Sequence, residues 1–181
     1  MDVLIVNPNS FFSSTVDLLN AQITPNLGIA YLISSIEHEH RVRLVDTTFH
    51  SENFRQYISG KIKGFNPDVV GISTLSFNFQ ASLKIACLLK EILPDPDIPF
   101  IWGGVHSTVV PEAVLSEPLV DAVCIGEGER SFPAYLERLK YKEEPYGVEG
   151  IWFKNKEGKI IKNSLRPFIQ DLDSLLPRPG Y

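Results

Sequence analysis

At 181 residues the chain is long enough for one hydrophobic core. It is 44% hydrophobic and 22% charged, which excludes a disordered or disulfide-built chain, and a net charge of −5 gives no reason to expect nucleic acid or an anionic membrane as partner. No apolar run approaches the roughly 20 residues of a membrane span, residues 1–6 lack the basic start of a signal peptide, and the two cysteines, Cys87 and Cys124, suit a reducing cytoplasm.

Short β-branched runs alternate with longer amphipathic stretches. Residues 2–6 read as a buried strand, followed by the polar loop Asn7-Pro8-Asn9-Ser10. Thr24 and Pro25 offer a helix cap and a first-turn proline, after which Ile29, Leu32, Ile33 and Ile36 recur at helical spacing. A second strand at 41–46 and a helix at 53–63 follow, then a third strand at 68–73. Ile85, Leu88, Leu89 and Ile92 mark a helix stopped by Pro94. A fourth strand at 98–102 ends in Gly103-Gly104. A short helix at 111–115 leads to a fifth strand at 122–125 and a helix at 131–140. Five strands alternating with helices predict a doubly wound parallel α/β sheet of flavodoxin-like order 2-1-3-4-5. Beyond it, Asn155-Lys156-Glu157-Gly158 between two short apolar runs predicts a β-hairpin, and Pro167, Pro177 and Pro179 an extended linker. The pattern divides at 145: an α/β domain over 1–145, then hairpin and linker over 146–181.

The residues with chemistry to offer gather at the carboxyl ends of the strands. Asn7-Pro8, Asp46-Thr47, Ser73-Thr74-Leu75, Gly103-Gly104-Val105-His106 and Gly126-Glu127-Gly128-Glu129 each follow a strand. Ligands of open α/β sheets bind outside that edge, where the strand order reverses. Glycines there admit a ligand to the backbone, or simply make tight turns. Gly126-Glu127-Gly128 is a poor dinucleotide loop, because it follows the fifth strand and Ser131 takes the place of its third glycine. His106 reads as a cleft residue or a solvated helix start, and His50 as a remote candidate for an axial metal ligand. Cys87 and Cys124 both read as small core residues.

In order and spacing, several motifs together resemble the N-terminal cobalamin-binding domain of cobalamin-dependent radical S-adenosylmethionine enzymes. They are Thr24-Pro25-Asn26-Leu27-Gly28, Asp68-Val69-Val70-Gly71-Ile72-Ser73, Gly103-Gly104-Val105-His106 and Asp121 through Glu129, with the closing hairpin and the Leu176-Pro177-Arg178-Pro179 run. The resemblance implies that the corrin lies across the carboxyl edge. It also implies that the nucleotide tail descends near Ser73, Thr74, Leu75, Gly103 and Gly104, with His106 close by. Gly126, Glu127 and Gly128 would border the tail or the corrin amides, and Asn7, Pro8, Pro25, Asn26 and Leu27 would form the rim. Many cobalamin domains of other enzymes carry Asp-x-His-x-x-Gly after the first strand; here Asn7-Pro8-Asn9-Ser10-Phe11 holds no histidine, so no protein ligand to cobalt is expected.

The chain has no Cys-x-x-x-Cys-x-x-Cys motif. The resemblance implies that the [4Fe–4S] cluster and S-adenosylmethionine belong to a downstream radical domain, and catalysis, by a methyltransferase or a ring-forming enzyme, is not expected from this chain alone. Two rival readings share the fold. One is a nucleotide- or flavin-binding module; the other is an interaction domain with Trp102 and the Trp152-Phe153 hairpin as anchors. For a variant that blocks the site without unfolding the chain, Gly104→Val is the first choice, with Gly103→Val if Gly104 faces away.

Overall fold

Buried aliphatic runs make the central strands, as a sheet covered on both faces requires. The computed structural model describes residues 1–8, 26–47, 54–171, 173 and 175. Over these, β1 (Asp2–Asn7), β2 (Arg41–Asp46), β3 (Val69–Ser73), β4 (Phe100–Gly103) and β5 (Ala122–Cys124) are parallel. The helices between them are α1 (Leu27–Ser34), α2 (Phe54–Ile62), α3 (Phe79–Ile92), the short α4 (Val105–Val109) and α5 (Pro111–Ser116), and α6 (Gly128–Lys140). One sheet face packs on α2, α3 and α5 through Ile58, Ile85, Leu89 and Leu115; the other packs on α1 and α6 through Ile29, Phe132 and Leu136.

The parallel order 2-1-3-4-5 is as expected, but the sheet does not stop at five strands. The hairpin of β6 (Ile151–Lys154) and β7 (Ile160–Lys162) adds antiparallel to β5, giving a seven-stranded sheet of order β2-β1-β3-β4-β5-β6-β7 among the described residues. The physical reason is the edge: without β6, a three-residue β5 would end the sheet with unpaired backbone groups. The boundary at 145/146 thus separates parallel from antiparallel strands of one sheet.

Four further readings are corrected. The N-cap of α1 is Asn26, whose Oδ1 accepts from the Ile29 N–H at 3.1 Å; Thr24 and Pro25 lie outside the described residues. The helix after β5 begins at Gly128, one turn before the apolar pattern begins. Cys87 is exposed, because helical spacing gives the inner face of α3 to Ile85, Ala86, Leu88 and Leu89. Trp102 is fully buried and meets the Phe79 ring edge-on at 5.7 Å, while Phe153 is buried and the Trp152 indole donates to the Asn163 carbonyl. Trp102 and Phe153 therefore belong to the core and are not exposed as interface anchors, whereas Trp152 is half-buried. Among the described residues no helix is long and apolar enough to cross a membrane.

Candidate functional site

The strand order reverses between β1 and β3, and the register brings Ser73 level with Gly103 at the carboxyl edge. There a cleft of about 320 Å³ opens between α1 and α6 and runs down the sheet face over Ile5, Gly71 and Ile101. Glycine makes the space. Gly71 interrupts β3, and a Cβ there would stand 2.9 Å from the Ile5 Cδ1. Gly103 and Gly104 form one wall, and Gly126 and Gly128 the other.

Of the residues expected at the site, Asn26, Ser73, Leu75, Gly103, Gly104, Gly126, Glu127 and Gly128 line this cleft. Asn7 and Pro8 hold its rim. Asn7 donates to Asp46 Oδ2 at 3.1 Å and accepts from Asn26 at 3.4 Å, fixing the ends of β1, β2 and α1. The buried Pro8 offers its carbonyl to Asn78 Nδ2 at 2.7 Å, while Asn78 Oδ1 takes the Leu75 N–H at 2.8 Å; one side chain thus ties the loops after β1 and β3. Thr74 does not face the cleft. It is fully buried, with its hydroxyl on the Gly103 carbonyl and the Ser107 hydroxyl at 3.1 and 3.3 Å, so it braces the glycine turn. His106 is turned to Ser76 Oγ at 3.1 Å and to the Phe79 ring, with 4.4 Å between ring centroids. Leu27 is exposed beside the rim; Pro25 and His50 fall outside the described residues.

Gly71, Cys124, Glu129 and Phe132 also line the cleft, although none was among the expected site residues. A lone glycine inside a strand was the available signal for Gly71. Cys124 is buried deeply enough for its thiol to be pushed up to about 12, so it is a neutral wall and not a thiolate. Glu129 has one carboxyl oxygen buried with no hydrogen-bond partner. Burial, more than the nearby Glu127 charge, holds its pKa above the usual carboxylate value.

The sign of that shift gives a test. An acid with a raised folded-state pKa costs stability once pH climbs past its unfolded value. Glu129→Gln should therefore melt above the parent at neutral pH, with the gap closing below the ordinary carboxylate range. Parallel melting-temperature profiles for the two proteins would show that burial of Glu129 costs nothing.

No lysine, arginine or histidine lines the cleft among the described residues, whereas two glutamates do. A ligand carrying several negative charges would meet no cationic side chain there. The mostly apolar and glycine walls suit a ligand that is largely neutral.

The comparisons agree with this geometry. A family model described as "B12 binding domain" matches residues 18–136. The chain is 33% identical to an uncharacterized methyltransferase of Pyrococcus horikoshii, PH0819, over all of this chain and 38% of that protein. It is 27% identical to the anaerobic magnesium-protoporphyrin IX monomethyl ester cyclase of Rubrivivax gelatinosus, over 99% of this chain and 32% of that one. The structure of the radical S-adenosylmethionine methyltransferase TsrM from Kitasatospora setae, with cobalamin and a [4Fe–4S] cluster bound, superposes with a TM-score of 0.76 at 16% identity, covering 97% of this chain and 31% of that one. The chain thus spans about a third of the length of these proteins.

Proposed function

The chain belongs to the B12 binding domain family, and on that premise we propose that it holds cobalamin at the carboxyl edge of its sheet as one part of a larger radical S-adenosylmethionine enzyme. The observation that carries this reading is the glycine-walled cleft at the reversal of strand order, free of cationic side chains among the described residues. Cobalamin fits its chemistry. The corrin is rimmed by neutral amides, and its nucleotide arm carries a single phosphate. The first turn of α6 can face that phosphate with backbone N–H groups. Gly103 leaves the wall free of a side chain, Ser73 offers a small hydroxyl beside it, and Leu75 and Val105 give the mouth apolar surface for the macrocycle. When bound, the cofactor supplies the group-carrying or electron-transfer chemistry; this chain positions it and excludes water.

A flavin nucleotide or dinucleotide is disfavoured because its phosphate groups carry about two negative charges, against one on the phosphodiester of cobalamin, and no cationic side chain lines the cleft among the described residues. Ser131, in the place of a third loop glycine, is buried and bonded by Arg166. Relatives include methyltransferases and a cyclase, which supports a methyl transfer or a ring closure as the reaction of the whole enzyme, with a downstream domain supplying the cluster. Two free cysteines fit a cytoplasmic enzyme.

Titration of the purified chain with hydroxocobalamin, followed by absorbance, tests the reading against the same titration with FMN. Saturable spectral change with cobalamin alone is expected; the reverse selectivity makes it a flavin module. Reduced to Co(II), the bound cofactor should show no nitrogen splitting in electron paramagnetic resonance, neither from an imidazole, because residues 7–11 hold no histidine, nor from its own base, because the nucleotide arm is drawn into the cleft away from cobalt. Splitting that disappears in His50→Ala would instead make His50 the axial ligand.

A further inference from the structure

After β7 the chain returns across the lip of the cleft, and residues of the cleft wall hold it there. The Ile169 N–H donates to Oε2 of Glu127 at 2.6 Å, and the Ile169 side chain is buried. Arg166 Nε donates to Ser131 Oγ at 3.1 Å, one turn into α6, and its Nη1 lies 3.5 Å from Glu149 Oε2. Between these two anchors stands Phe168, 69% exposed. Its ring edge lies 3.9 Å from the point a Cβ on Gly126 would occupy, and both Gly126 and Glu127 line the cleft.

A large apolar ring left in water on a loose loop needs no explanation. Here the chain is anchored on either side, by the Arg166 side chain and the Ile169 backbone N–H, so the fold holds the ring beside the mouth of the cleft. The glycine at 126 leaves the space between ring and cleft unfilled. Glu127 also has a use other than ligand contact, because one carboxylate oxygen is engaged by the strap.

Building on the cobalamin reading, we infer that Phe168 is part of the cofactor site, packing its ring against cobalamin seated in the cleft, and that Glu127 is the positioning residue that holds it there. This departs from the role the sequence resemblance implies for Glu127, a direct border of the tail or corrin amides.

The test uses the 181-residue chain and hydroxocobalamin, with two readouts. Phe168→Ala should weaken binding about tenfold or more, the change expected from losing an aromatic contact of this size. Being exposed, the position should leave the thermal melt unchanged. Chymotrypsin cuts after phenylalanine, so cleavage of the Phe168–Ile169 bond, located by mass, should slow when cobalamin is bound. Glu127→Ala should speed that cut in the free protein and weaken cobalamin, whereas Glu127→Gln, which keeps an acceptor oxygen, should behave as the parent does. If the parent shows no spectral change with cobalamin, the cobalamin reading itself fails. If the parent binds while Phe168→Ala binds equally and the cut is unprotected, cobalamin binding stands and the inference about Phe168 is overturned. If Glu127→Ala leaves both readouts unchanged, Glu127 positions nothing.

Discussion

Gly103→Val is expected to keep a cooperative melt and lose about a hundredfold or more in cobalamin affinity, whereas Gly104→Val is expected to lose much of the domain's stability. The two neighbours differ in what a side chain would meet. Gly104 has φ +92°, and a Cβ there would stand 2.6 Å from the Thr74 carbonyl oxygen and 2.9 Å from its nitrogen. Those are backbone atoms already engaged, with the Thr74 N–H on the Gly103 carbonyl and the Thr74 carbonyl on the His106 N–H. Neither can move without opening the turn. A β-branched residue with positive φ adds strain, so a cost of about 3 kcal/mol or more follows. At Gly103 a Cβ would find only the Cys124 Cβ, at an ordinary 3.8 Å, and φ is not in the left-handed region. The valine methyls would then occupy the cleft itself. Excluding a tightly fitted group by about a hundredfold corresponds to about 2.7 kcal/mol, within reach of a hard overlap. Ser73→Ala should be milder, at about 0.5–1.5 kcal/mol for one hydrogen bond. Equilibrium absorbance titration beside thermal unfolding of the same samples separates these cases. If Gly103→Val binds cobalamin as the parent does, the ligand does not pass Gly103 and the cleft is misassigned even with the fold correct.

From sequence alone Gly104 was the first choice for this experiment, and the reason it is the wrong one shows where sequence reading stops. A Gly-Gly pair after a strand announces a turn, but not which glycine carries the positive φ. The parallel core was legible because strands buried on both faces are continuous apolar runs, and the edge that binds ligands follows from the α/β connectivity. Cys87 was misplaced because Ile85 through Leu89 is apolar at every position, and only the 3.6-residue period decides which one faces out. The sequence reading placed the cap at Thr24-Pro25, whereas Asn26, two residues on, is the one whose side chain caps α1. The strap was beyond reach for a different reason. The Glu127–Ile169 hydrogen bond joins residues 42 positions apart, and nothing in either neighbourhood announces the other.

Ending the chain after residue 145 is expected to leave no cooperatively folded domain, whereas ending it after residue 164 is expected to keep the fold and weaken cobalamin. The hairpin is a structural edge of the main sheet. Ile151 is completely buried, Phe153 is 3% exposed, and Val148 packs in the same cluster with Phe132 and Leu136 of α6. Removing large core side chains costs about 2–5 kcal/mol each, against a total stability of about 5–15 kcal/mol for a domain. The loss also strips backbone partners. The Ile125 N–H bonds the Gly150 carbonyl at 2.8 Å, and the Lys154 N–H bonds the Asp121 carbonyl at 2.8 Å. Gly150 is packed so closely on the start of α6 that a Cβ would fall 2.6 Å from Ser131 Oγ, so the hairpin also buttresses the helix turn that carries Glu127, Gly128 and Glu129. A chain of 164 residues keeps β6 and β7 with these contacts, but loses Arg166, Phe168 and Ile169, and with them the strap at the cleft lip. Urea unfolding followed by circular dichroism, with cobalamin titration of whatever folds, distinguishes the two truncations. A 145-residue chain that unfolds cooperatively near the parent midpoint would mean that β5 tolerates being an edge and that the hairpin is a dispensable appendage.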